Sequence, residues 1–208
     1  MTTLVRTAVP FAARAGIAAL ALLTMHAAFA QQAGRLTGDA GIATGAGVGA
    51  TGAITVNQAA GLSNAQFNQV TISTGDAVGN DNASVQSASA RARVPSARAS
   101  IEGNAFSNTS GAVMVNQSAG AGNLQRNSVQ IGTAAPGIET VSDGVLSATA
   151  ANNGGQGQTV SVQNVREANM SSDAFKNVNG VVQINQTAGA GNATANSFVL
   201  RPPAGTFF

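Results

Sequence analysis

Cysteine is absent from this 208-residue chain, as are tryptophan and tyrosine, and its one histidine is His26. No disulfide can staple the fold, and no thiolate can act as nucleophile or metal ligand. Charge is scarce as well, at 9% of residues against about 25% in ordinary soluble domains. The acids Asp39, Asp76, Asp81, Glu102, Glu139, Asp143, Glu167 and Asp173 are scattered and never recur at equivalent places. General acid–base or metal-assisted catalysis needs such groups to converge, so neither an enzyme nor a metal or other cofactor is expected. Arg91, Arg93 and Arg98 form the only basic cluster and have no aromatic residues between them to stack on bases, which argues against a nucleic-acid partner.

Long apolar runs are missing too, except near the N-terminus. Arg6 and Arg14 precede the apolar stretch AGIAALALLTM, and Ala28-Phe29-Ala30 places small residues where a signal peptidase cuts. Residues 1–30 therefore read as a secretory signal peptide, with a mature chain from Gln31. The stretch is shorter than the roughly 20 residues that span a bilayer, so a membrane-spanning protein is not expected. The formal charge of +2 resides in Arg6 and Arg14, leaving a mature chain close to neutral. Its apolar 44% is largely alanine, which buries little area and adds little to collapse. Order must come from something other than a bulky core.

What the chain has in abundance is repetition. GAITVNQAAGLSNAQFNQVTI (residues 52–72), GAVMVNQSAGAGNLQRNSVQI (111–131) and GVVQINQTAGAGNATANSFVL (180–200) align without a gap. The last two copies extend upstream through AFSNTSG and AFKNVNG, where the first has only the Gly/Ala-rich GAGVGATG. This divides the chain into a signal (1–30), a Gly/Ala-rich segment (31–51), repeat 1 (52–72), a linker (73–98), repeat 2 (99–131), a linker (132–167), repeat 3 (168–200) and a tail (201–208). The linkers are rich in Ser, Ala, Asn and Gly, although short alternating runs within them can pair as strands.

Within a repeat the period is two, which predicts strand, turn, strand. Gly61, Gly120 and Gly189 fall in the expected turns. One face is specified: Asn64, Gln66 and Asn68 match Asn123, Gln125 and Asn127, then Asn192, Thr194 and Asn196. The opposite face, which includes Phe67 and Arg126, varies and is expected to be free. Phe67, Phe106, Phe175 and Phe198 read as packing residues rather than ligand contacts.

A buried primary amide without a partner costs about 1–3 kcal/mol. Stacking the copies about 4.8 Å apart lets each Asn or Gln donate to its equivalent below and accept from the one above. The fold class expected is therefore all-β: a β-solenoid or stacked β-arch of cross-β type. The expected ladder comprises Asn57, Gln58, Asn64, Gln66 and Asn68, then Asn116, Gln117, Asn123, Gln125 and Asn127, then Asn185, Gln186, Asn192 and Asn196. No cap against further stacking is evident except Pro202 and Pro203.

The pattern Gly, four residues, Asn-Gln, two residues, Gly, two residues, Asn resembles the repeat of Fap-type functional amyloids, bacterial biofilm fibre proteins whose repeats alternate with variable linkers; curli repeats are more distantly similar. On this chain it singles out Asn57, Gln58, Gly61 and Asn64 and their equivalents in the other two copies. The Cys-x-x-Cys pair of several Fap components is missing. The resemblance implies a secreted subunit that leaves through the periplasm and an outer-membrane export apparatus. It would polymerise with itself and with related subunits into cell-surface fibres of the extracellular matrix, and would serve adhesion. The alternative is a monomeric, surface-exposed β-solenoid adhesin.

Overall fold

The computed structural model describes residues 34–74, 80–81, 84–90, 92–133, 141–142, 149–152 and 165–200. The expected signal segment and the tail lie outside the described residues. Wherever the period-two pattern recurs, the chain is extended. The strands are β1 (Gly34–Ile42), β2 (Thr51–Leu62), β3 (Ala65–Thr74), β4 (Asn80–Asp81), β5 (Ser87–Ala90), β6 (Ala92–Ile101), β7 (Ser110–Ala121), β8 (Leu124–Thr133), β9 (Val141–Ser142), β10 (Thr149–Asn152), β11 (Val165–Met170), β12 (Asn179–Ala190) and β13 (Ala193–Leu200).

These strands build an open all-β solenoid of three rungs. Rung 1 is β1-β2-β3, rung 2 is β6-β7-β8 and rung 3 is β11-β12-β13. Corresponding strands pair side by side, giving three sheets ordered β1-β6-β11, β2-β7-β12 and β3-β8-β13, so rung 2 is central in each. Pairing is parallel and in register: Asn57 lies opposite Asn116 and Asn116 opposite Asn185, at offsets of 59 and 69 residues. The outer sheet keeps the same offsets, with Asn68, Asn127 and Asn196 in line. Between rungs, β4 pairs with β9 and β5 with β10, so the segments expected to be linkers carry paired strands of their own.

Ladder hydrogen bonds continue around the corners. Where β1 passes to β2, and at the equivalent bends, backbone bonds join successive rungs: Phe106 N–H to Ala46 O at 2.7 Å, Phe175 N–H to Ala105 O at 2.9 Å. Each bend needs two residues with positive φ. Phe106 (56°) and Asn108 (55°), and Phe175 (58°) and Asn177 (57°), fill these places in rungs 2 and 3; Gly47 (65°) and Gly49 (71°) fill them in rung 1. The Gly/Ala-rich stretch of the first copy thus preserves the backbone of the other two while dropping their side chains.

An apolar core occupies this bend, where Ile42, Ile101, Ala105, Phe106, Val113 and Val115 are buried between the first and second sheets. Phe106 and Phe175 stack with ring centroids 5.1 Å apart. Further along the same interface the core is small: Ala40, Val94, Ala97, Ala99, Ala119 and Ala121. Alanine lets these sheets approach closely.

Three expectations need correction. Gly61, Gly120 and Gly189 are not turn residues; they sit inside β2, β7 and β12, and the reversal falls at Ser63-Asn64, Gly122-Asn123 and Gly191-Asn192. They are glycine for another reason: their φ values are 120–131°, and a methyl on Gly120 would come 1.8 Å from the Gly189 carbonyl oxygen. The variable face of repeat 2 is not free, since Leu124, Arg126, Ser128 and Gln130 are all buried. Residues 84–90 run along that side, where Gln86 donates to the Gln125 carbonyl at 3.2 Å. Of the phenylalanines, Phe106 is buried, Phe175 and Phe198 are half-buried, and Phe67 lies at the exposed outer side of rung 1.

Candidate functional site: amide columns and open end rungs

Every expected ladder residue lies in a column of equivalents running through the rungs. Between the first two sheets, Gln186 Nε2 donates to Gln117 Oε1 at 2.8 Å and Gln117 Nε2 to Gln58 Oε1 at 2.7 Å. The same Gln117 nitrogen bonds the carbonyls of Ala40 and Ser100, and Gln58 reaches that of Gly41, so this column also ties sheet to sheet.

Between the second and third sheets two asparagine columns interlock. Asn185 donates to Asn116 and Asn116 to Asn57, at 2.9 and 3.0 Å; Asn196 donates to Asn127 and Asn127 to Asn68, both at 3.0 Å. Cross-links join the columns, as where Asn127 Nδ2 donates to Asn116 Oδ1 at 3.0 Å. At the tight turn, Asn192 donates to Asn123 and Asn123 to Asn64, at 2.8 and 2.9 Å. Asn116, Gln117, Asn123, Gln125 and Asn127 are completely buried. Their burial is tolerable because each amide has partners above and below.

In all four columns the side-chain bonds between rungs run one way, from the amide N–H of one rung to the amide oxygen of the preceding one, while Asn64 and Asn123 also donate forward to the carbonyls of Gly120 and Gly189. The column of Gln66, Gln125 and Thr194 differs, with Gln66 donating forward to Gln125 Oε1 at 2.7 Å and Gln125 forward to Thr187 Oγ1 at 3.2 Å.

Reading the repeats alone missed the first sheet. Its signal was present: at the same offsets, Ala40, Ala99 and Ala168 align, as do Ile42, Ile101 and Met170. Ser118 and Thr187 were also missed; they take hydrogen bonds from Gln66 and Gln125. Among the described residues no group of three or more His, Cys, Asp or Glu gathers that could hold a metal ion.

Among the described residues the middle rung is paired on both sides while the outer edges of rungs 1 and 3 have no partner strand, and such edges are templates for pairing with another chain. The model of the functional amyloid protein FapB/FapC family matches residues 21–203, and the chain belongs to that family. No solved structure matches it. The protein is a structural, fibre-forming protein and not an enzyme, and its polymer is extracellular.

Proposed function

We propose that the amide columns are the assembly device of the fibre: Asn57, Gln58, Asn64, Gln66, Asn68 and their equivalents join molecule to molecule by the contacts that join rung to rung. The observation that carries this reading is continuity. Four asparagine and glutamine columns cross all three rungs without a break. Each cross-strand pair contributes about 0.2–1 kcal/mol, but a stack repeats it at every layer and in every column. The polymerising units are the three repeats, 52–72, 99–131 and 168–200. Passage through the periplasm, an outer-membrane export apparatus, co-assembly with related subunits and a place in a biofilm matrix complete the proposal.

Purified mature protein incubated without a template should bind thioflavin T and give cross-β diffraction at about 4.8 Å. A soluble monomer that persists for days would overturn this reading in favour of a monomeric adhesin.

A further inference from the structure

The two open ends of the solenoid are not equivalent. Because the side-chain bonds of the columns donate toward rung 1, rung 3 ends, among the described residues, in oxygens with no following rung to donate to them, at Gln186 and Asn192, and rung 1 ends in amide N–H groups, at Asn57 and at Asn64, whose nitrogen also bonds the Gly120 carbonyl. Two deeply set atoms of rung 3 lack any hydrogen-bond partner: Gln183 Oε1, on a residue only 5% exposed, and Thr194 Oγ1. Following the register one rung further puts Thr55 of another copy opposite Gln183, and Gln66 opposite Thr194. Thr55 supplies the hydroxyl donor that Gln183 lacks, and Gln66 supplies an amide oxygen for Thr194.

The glycines report the same joint. A methyl on Gly61 would meet the Gly120 carbonyl oxygen at 1.9 Å, and one on Gly120 the Gly189 carbonyl oxygen at 1.8 Å, so each rung fills the space in front of the glycine before it. In front of Gly189 there is no further rung among the described residues, and the space is taken by Arg166, whose Cδ and Nε would lie 3.0 and 3.2 Å from such a methyl. At the offsets of the sheet, Arg166 corresponds to Ala97 in rung 2 and to Gly38 in rung 1. Only the last rung carries a long side chain here. A charged side chain turned inward over a strand edge is a recognised obstacle to edge-to-edge pairing.

We propose that fibres grow with one polarity, rung 3 receiving rung 1 of a second copy in register, and that Arg166 covers the receiving edge of the free subunit. Gly61 of the incoming copy takes the place in front of Gly189, so Arg166 must leave before the joint closes. Displacing it sets part of the barrier to each addition. The inference rests on the fibre reading above.

Two experiments on the mature chain test it. In seeded elongation, Arg166→Ala and Arg166→Gly should each elongate at least about threefold faster than the parent. Arg93→Ala, which removes the same charge from another exposed position of the first sheet, should stay within about twofold. Equal acceleration by Arg93→Ala, or slower growth of both Arg166 variants, overturns the cover. For polarity, Thr55→Cys and Gln183→Cys are made as separate proteins and copolymerised. Parallel in-register neighbours are about 4.8 Å apart, within disulfide range. Oxidation should cross-link Thr55→Cys to Gln183→Cys, and fibres of either protein alone should give no dimer. Dimers from a single variant, or fibres without the mixed dimer, overturn the joint. Failure of the unmodified chain to form fibres would instead refute the fibre reading itself.

Discussion

A buried amide is useful here only in company. Gln117 has no exposure, donates to Gln58, Ala40 and Ser100, and accepts from Gln186. Gln117→Lys removes the acceptor for Gln186 and places among those groups an ammonium whose donors the three oxygens can still take but whose charge has no counter-ion. Buried charges without a matched partner destabilise by about 3–5 kcal/mol. The variant should therefore raise the critical concentration for assembly by at least about a hundredfold, measured as soluble protein left beside fibres at equilibrium. A value within tenfold of the parent would mean that the column contributes little. Arg126 shows how burial revises an expectation: on the variable face it reads as expendable, but it is 4% exposed. Arg93 is the better neutral control. Phe106 and Phe175 hold an unusual compromise, since bulky residues rarely adopt φ near 57°. Their stacked rings and the burial of Phe106 in the bend core offset that strain.

Strand pairing sets a different demand, namely room between neighbouring backbones. Gly120→Ala would thrust a methyl to 1.8 Å from the Gly189 oxygen at a φ of 120°. Such a variant should lose the β7–β12 pairing, with amide hydrogen-exchange protection falling in rung 3. Gly45→Ala meets nothing within 4 Å and bears only the strain of its φ of 80°. It should keep protection throughout, at a cost of about 1–2 kcal/mol. Equal loss in both would show that backbone strain, not close approach, dictates glycine at 120. The contrast also marks what was legible beforehand. Asn116, Gln117 and Asn127 were readable because identical amides at identical offsets make sense only in a stack. The first sheet was not, because alanine and glycine at 38, 40, 97 and 99 form strands through close approach, and small residues carry almost no pattern. The in-strand place of Gly120 was hidden for a related reason: SAGAG is turn-like in composition, and only the facing backbone explains why its middle glycine stays extended. Burial of the variable face depended on 84–90, whose partner strand is remote in sequence.

For the molecule as a whole, charge is disposed along the column of Asp39, Arg98 and Glu167. Arg98 and Glu167 pair at 2.9 Å. If rung 3 receives rung 1, Asp39 of the incoming copy arrives beside Glu167 at strand spacing, where two negative charges repel even in water. Asp39→Asn should thus speed seeded elongation by about fourfold at low ionic strength, and the gain should shrink near 0.15 M salt, where the screening length is about 8 Å. An unchanged low-salt rate would count against that joint. A last consequence follows from the unequal spacing of the rungs. The chain takes ten residues more to climb from the second rung to the third than from the first to the second, yet every matched pair keeps its place. The register of the three sheets therefore does not depend on a fixed length of chain between rungs. Ten further residues between the second and third rungs are absorbed with no slip in the pairing, so length added between rungs should leave the spine that propagates the filament in place.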